Sequence, residues 1–306
     1  MVDQIEKVIE VKNVKKIYRM GSEKINAVDD VSFEILKGEF CCLLGTSGSG
    51  KSTLLNLMAG IEKLSGGQII IKGKKIHKMS ENNLARFRQR YLGFVFQSYN
   101  LMGSMTALEN VEFPLVFKRV RSKLRRKMAR DMLVKVGLGS RLAHKPKEMS
   151  GGQQQRVGIA RAFVARPEIV FADEPTGNLD TKTAMEVMNL IKNIARDNNQ
   201  TIVMVTHDRR LADFADRIIH ILDGKIQSIE LNHSAKSEET IVIDKTEEAE
   251  GESVNTVNKE YLSDANKETD EYKASDEINK TADKLSGAEI PAESEIAASH
   301  NDSLQI

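Results

Sequence analysis

The sequence predicts an α/β fold built on a parallel sheet, with a helical insertion in its middle and an acidic, low-complexity segment at its C-terminal end. Three observations carry that expectation. Short apolar runs alternate with helical patterns, strand signals fade between Gln97 and Ser150, and the charge of the chain divides sharply near residue 231.

Runs at residues 31–35, 40–44, 69–71, 93–96, 169–172, 202–205 and 218–222 are rich in β-branched and aromatic side chains and read as strands. Several are apolar throughout, the pattern of strands buried on both faces. Ala184, Val187, Met188, Ile191, Ile194 and Ala195 then recur at helical spacing behind Asp180, a side chain suited to capping a helix N-terminus. Strand, helix, strand in that order implies a parallel sheet. Within the insertion, Leu124, Met128, Met132, Leu133 and Val136 form a helical stripe that Gly137 terminates.

The formal net charge of +1 is a cancellation. Residues 1–231 carry 38 basic and 25 acidic side chains, whereas residues 232–306 carry 7 and 19. The latter segment is rich in Glu, Lys, Ser, Asn, Thr and Ala, lacks sustained periodicity, and is expected to be a disordered, solvated spacer. An arm that folds back on the positive body is the less favoured reading. Cys41 and Cys42 are adjacent in an apolar run and are expected to be small reduced hydrophobes, consistent with a reducing compartment. Residues 1–12 mix Asp3, Glu6, Lys7 and Glu10 with single apolar residues, unlike a signal peptide. No apolar stretch approaches the roughly 20 residues that cross a bilayer. Any membrane role is expected to be peripheral.

Gly45-Thr46-Ser47-Gly48-Ser49-Gly50-Lys51-Ser52-Thr53 lies between an apolar strand and an apolar helical run at 54–59, closed by Gly60. This is a phosphate loop in its required context. Its glycines let backbone N–H groups curl around phosphates at a helix N-terminus, Lys51 reaches the β and γ phosphates, and the Ser52 hydroxyl ligates magnesium. A second site follows the strand at 169–172, where Asp173 and Glu174 fall at the carboxyl edge at which open α/β sheets bind ligands. The two acids suit different tasks: Asp173 holds magnesium, directly or through water, and Glu174 polarises the water that attacks the γ phosphate. The third element is Met149-Ser150-Gly151-Gly152-Gln153. Ser150 caps a helix whose first N–H groups, unobstructed at Gly151 and Gly152, face an anion.

Together these motifs resemble those of ABC-transporter ATPases over residues from about 8 to 231. The resemblance implies a P-loop NTPase (RecA-like) core with an antiparallel β edge and a helical subdomain, an ATP-binding domain over 1–231 with its helical insertion at about 98–165. It also implies further site residues. Tyr18 matches the aromatic that stacks on adenine, Gln97 the lid glutamine that contacts magnesium and water, His207 the switch histidine at the γ phosphate, and Asp180 the loop linking two sites. Ser150, Gly151, Gly152 and Gln153 match the signature. The stretches 150–157 and 172–180, with 97–114, are similar to the lipoprotein-releasing and macrolide-efflux branch (LolD-like and MacB-like ATPases). Met149 in place of leucine and Thr46 in place of proline depart from that pattern, but neither removes a phosphate ligand.

One phosphate loop and one signature per chain imply that two copies, or one copy with a relative, sandwich two ATP molecules with Mg2+. A separate transmembrane permease is the implied partner, and the chain is expected in the cytoplasm, held at the membrane through that permease. The alternative is a soluble ABC-type ATPase acting on nucleic acid or ribosomes. Against it stands the short separation of phosphate loop from signature, about 100 residues without sustained heptads. A scaffold that binds ATP without turnover is disfavoured by the presence of Glu174 and His207. The basic run Lys118, Arg119, Arg121, Lys123, Arg125, Arg126, Lys127 and Arg130 is read as a solvated helix face ahead of an acidic-lipid contact. It lacks the interleaved aromatics of a nucleic-acid surface, and no nucleic-acid partner is expected.

Overall fold

A computed structural model describes residues 6–21 and 23–232. The acidic segment from residue 232 onward therefore lies, apart from Asn232, outside the described residues.

The chain opens with two long strands, β1 (Lys7–Met20) and β2 (Glu23–Leu36), then β3 (Phe40–Leu44) and α1 (Lys51–Met58). Next come β4 (Gly66–Ile71), β5 (Lys74–Lys75), α2 (Glu81–Tyr91) and β6 (Leu92–Phe96). Three helices fill the insertion: α3 (Ala107–Phe117), α4 (Ser122–Lys135) and α5 (Gly151–Phe163). The chain then returns through β7 (Ile169–Asp173), α6 (Thr181–Asp197), β8 (Thr201–Thr206), α7 (Arg209–Ala212), β9 (Arg217–Leu222) and β10 (Lys225–Leu231). Two sheets result. The first is antiparallel, in the order β2-β1-β4-β5, and the second has the order β10-β9-β3-β8-β7-β6. In the second sheet every pairing but β10 with β9 is parallel.

The central parallel strands β3, β7 and β8 are apolar over most of their length because each face of their sheet meets a different core. On β3, Phe40, Cys42 and Leu44 join the core shared with the helical insertion and α6, whereas Cys41 and Leu43 join the core that holds α1 and the antiparallel sheet. β7 and β8 divide in the same way: Val170, Ala172, Ile202 and Met204 face one side, and Ile169, Phe171, Val203 and Val205 the other. A strand's side chains alternate between faces, so a two-sided core requires an unbroken apolar run. The same alternation points the adjacent Cys41 and Cys42 to opposite faces. Both are free and buried, and burial pushes the Cys42 thiol up to about 12, as expected for inert packing residues.

Three strands were not legible in the sequence: β1, β10 and the two-residue β5, both of whose lysines are exposed. In β1 the buried Val8, Ile9, Val11 and Val14 break the two-residue period because register shifts interrupt the pairing with β2 and Asn13 adopts φ 48°. β10 is an edge strand with only Ile226 partly buried, so it has no apolar face to read. Its neighbour β9 is fastened from inside. Arg217 donates to Glu39 through Nε at 2.6 Å and through its second guanidinium nitrogen at 2.8 Å, and also to the Glu34 carbonyl. These bonds tie β9 to the ends of β2 and β3.

With side chains 17% and 9% exposed, the Arg217–Glu39 pair is largely shielded, and breaking it leaves one charge without its partner. Arg217→Ala is expected to lower unfolding stability by about 2–4 kcal/mol. A double-mutant cycle with Glu39→Ala, measured by urea denaturation, should return a coupling of about 1.5–3 kcal/mol. Additive single effects would contradict this assignment.

Candidate functional site

The parallel register brings the sequence motifs to one edge. Leu44 lies beside Thr206, Asp173 beside Val205, and Phe96 beside Asp173. The residues that follow these strand ends therefore emerge as neighbours: the phosphate loop after β3, His207 after β8, Asp173 and Glu174 from β7, and Gln97 after β6. This is the carboxyl edge at which open parallel sheets bind ligands.

Gly48 and Gly50 have φ of 81° and 94°, and Gly50 is the left-handed residue that precedes α1. A Cβ at Gly50 would fall 2.1 Å from the Ala27 carbonyl oxygen, and one at Gly45 2.1 Å from that of Ile221. Only glycine fits these two positions, where the loop passes over its neighbours' backbone. No side chain caps α1, so its first N–H groups are available to an anion. Lys51 is 5% exposed, and its Nζ donates to the Thr46 carbonyl at 2.6 Å and to Ser49 Oγ at 3.4 Å. Burial draws its pKa down, against the opposing charges of Glu174 and Asp173. Ser47 is exposed and Thr53 half-buried.

Ser52 donates its hydroxyl proton to Asp173 Oδ1 at 2.9 Å. Burial holds the Asp173 carboxyl above the ordinary range, with Glu174 adding to the shift and the Ser52 hydrogen bond and Lys51 opposing it. Two adjacent hard oxygen groups, one of them a carboxylate disfavoured by burial, suit a small divalent cation such as Mg2+. Glu174 takes a different course. Its φ is 47°, its N–H donates to the Val205 carbonyl at 3.0 Å, and its carboxylate oxygen Oε1 lies 2.8 Å from His207 Nδ1. A carboxylate only accepts, so Nδ1 carries the proton and Nε2 faces away from Glu174. The Gln97 carbonyl accepts from Asn178 Nδ2 at 3.0 Å, and a Cβ on Gly177 would fall 2.7 Å from Gln97 Nε2. Gln97 is thus packed against the loop that follows Glu174.

The signature is elsewhere on the chain. Ser150 caps α5: its Oγ accepts from the Gln153 N–H at 3.3 Å, while Gln153 Oε1 accepts from the Ser150 N–H at 3.1 Å. These bonds are directed at each other, not at the phosphate loop of the same chain. Gly151 lies against the Tyr99 hydroxyl and Gly152 against Thr183. Asp180 caps α6 by accepting from the Thr183 N–H at 3.0 Å, and hydrogen bonds from Thr183 hold its carboxyl below the ordinary range. Tyr18, half-buried on β1, donates to Glu62 Oε2 at 2.6 Å, and Lys16 Nζ lies 4.9 Å from its ring centre.

Several residues that shape the site gave no sequence signal. Arg161 on α5 donates to the carbonyls of Asn100 at 2.6 Å and Tyr99 at 2.9 Å, both residues in left-handed backbone just beyond Gln97. Buried Asn110 accepts from the Met102 N–H and donates toward the Met102, Met105 and Thr106 carbonyls, fixing the same loop. Buried Gln155 donates to the Pro175 carbonyl, beside Glu174. Polar residues on amphipathic helices look alike in sequence whether they face water or a loop carbonyl.

A phosphate loop, a carboxylate pair and a histidine on adjacent parallel strands, with a helical lobe carrying a glycine-rich capped helix, define a two-lobed P-loop ATPase. Residues 28–177 match the family described as ABC transporter. An uncharacterized ABC transporter ATP-binding protein of Thermotoga maritima is 46% identical over 226 residues, covering 74% of this chain and 96% of that protein. The macrolide export ATP-binding/permease protein MacB of Hyphomonas neptunium is 44% identical over 231 residues, covering 76% of this chain and 36% of MacB. The dimeric post-hydrolysis structure of the ATP-binding cassette MJ0796 bound to ADP and Pi is similar, with a TM-score of 0.69 and 42% identity. It covers 73% of this chain and 98% of that one. The chain belongs to the ABC transporter family, as an ATP-binding, ATP-hydrolysing subunit close to the MacB and MJ0796 branch.

Because Gly50 combines a positive φ with a close backbone contact, Gly50→Ala is expected to cost about 1–3 kcal/mol of stability. It should also weaken ATP binding at least about tenfold, since the loop must shift to admit the methyl group. Thermal melts and nucleotide titrations check both effects. Unchanged affinity would show that the loop tolerates the displacement.

Proposed function

We propose that this chain dimerises around two ATP molecules and drives a separate transmembrane permease. The observation that carries the catalytic part is the Glu174–His207 pair beside the Ser52–Asp173 pair, within reach of the buried Lys51. Glu174 orients and polarises the attacking water, and His207 keeps that carboxylate in place while its Nε2 faces the γ position. Lys51 and the α1 N-terminus attract the β and γ phosphates. Ser52, Asp173 and Gln97 would hold Mg2+, which when bound neutralises charge on the transferred phosphoryl group. Tyr18 supports the adenine, and Gly45, Ser47, Gly48, Ser49, Gly50 and Thr53 complete the phosphate loop.

The signature residues Ser150, Gly151, Gly152 and Gln153 serve the nucleotide of a second copy of the chain, with Asp180 linking the two sites. Support comes from the similar ATP-binding cassette MJ0796, whose post-hydrolysis structure is dimeric and bound to ADP and Pi. The domain division follows: an ATP-binding domain over 1–231 with its helical insertion at about 98–165, and an acidic spacer over 232–306. Among the described residues no helix is long and apolar enough to cross a membrane. MacB, by its name, joins an ATP-binding part to a permease, which favours a permease partner here and a cytoplasmic, peripheral location.

Glu174→Gln keeps the shape and removes the charge. It should lower kcat by about 100-fold or more while leaving ATP affinity near that of the native chain. Phosphate-release kinetics and ATP titration give the two numbers. Full turnover in this variant would remove Glu174 from the mechanism. The same variant with ATP, used as bait in detergent-solubilised native membranes, should retain a membrane protein through salt washing; retention of only soluble or ribosomal partners would contradict the transporter reading.

A further inference from the structure

Glu174 occupies a backbone state that its own sequence opposes. Its φ of 47° is left-handed, a strained conformation for a non-glycine residue. The next residue is Pro175, which disfavours helical backbone in its predecessor. Such a conformation persists only when surrounding contacts hold it on both sides. On the near side the Glu174 N–H donates to the Val205 carbonyl of β8. On the far side the Pro175 carbonyl accepts from Gln155 Nε2, reaching across from the signature helix.

Gln155 is 1% exposed, and its Oε1 has no hydrogen-bond partner among the described residues. A buried amide with one unpaired oxygen is an unfavourable way to fill space, because that oxygen has given up water without gaining a partner. An apolar side chain of similar length would pack there without that cost. The amide's orientation is fixed by its partner, because a carbonyl accepts and only the NH2 group donates. What Gln155 provides is a single directed bond to the carbonyl of the proline that follows the catalytic carboxylate.

We propose that Gln155 is a positioning residue for hydrolysis: it anchors the Pro175–Thr176 peptide, one residue beyond Glu174, to the signature helix. It lies five positions beyond Ser150, so one rigid helix bears both the end that meets the partner's nucleotide and the side chain that fixes the loop after this chain's own Glu174. Engagement of one ATP is thereby transmitted to the carboxylate at the other. The inference rests on the reading of Glu174 as the residue that polarises water.

Gln200 supplies an internal control. It is also buried, donates through Nε2 to a proline carbonyl, that of Pro167, and has an unpartnered Oε1, but it precedes β8 at the sheet edge opposite the site. The test measures kcat, KM for ATP, the Hill coefficient and the melting temperature for Gln155→Met, Gln200→Met, Glu174→Gln and the double variant Gln155→Met with Glu174→Gln. Gln155→Met should lower kcat roughly 10- to 100-fold with KM within a factor of about two, because a small displacement of a reacting group has effects of this size. Its Hill coefficient should fall toward one. Gln200→Met should alter the melting temperature alone, and the double variant should be no slower than Glu174→Gln. A native kcat in Gln155→Met beside a disabled Glu174→Gln overturns the anchor alone, as does a multiplicative loss in the double variant. Native rates in both overturn the reading of Glu174 and the anchor with it.

Discussion

The site depends first on backbone hydrogen bonding among β3, β8, β7 and β6. Parallel register leaves no freedom about which residues meet beyond the strand ends, so His207, Asp173, Glu174, Gln97 and the phosphate loop are assembled by pairing of the strands themselves. The register is in turn protected by burial on both faces, since sliding a strand by one residue would exchange Cys42 and Val170 for their neighbours across two different cores. Site geometry and core packing are therefore the same constraint seen at two places on each strand.

Around the site the chain requires left-handed backbone at several positions, as it also does in turns and bulges elsewhere. Gly48 and Gly50 meet that demand with glycine, whereas Glu174, Tyr99 and Asn100 adopt positive φ with side chains present. The second group needs external support, and the helical lobe supplies it: Arg161 binds the Tyr99 and Asn100 carbonyls, Gln155 the Pro175 carbonyl. Burial lowers the Arg161 pKa. The signature helix is thus a structural support for its own chain's loop at Glu174 as well as the surface proposed to meet a second copy.

Much of this was legible in the sequence because the relevant signals are short and local. Apolar runs located seven of the ten strands, and glycine spacing with Lys51 located the phosphate loop. Ser150 and Asp180 marked helix starts that the structure shows as side-chain caps. What escaped was non-local or phase-broken. β1 was concealed by its bulges, β10 by exposure, and Gln155 by the fact that a glutamine's partner 20 residues away leaves no periodic trace. Left-handed backbone at Glu174 was equally invisible, because glutamate immediately before proline argues for extended backbone.

Each ATP is proposed to be completed by the signature of another chain, and mixing two disabled variants tests that arrangement directly. Lys51→Ala lacks a working phosphate loop and Ser150→Phe a working signature, so each alone should release little phosphate. Combined in equal amounts, random pairing in a two-fold dimer forms intact composite sites in about a quarter of positions, and phosphate release should reappear at a corresponding fraction of the native rate. A mixture as inactive as its components would place the signature and the phosphate loop of one chain at the same nucleotide and contradict the account.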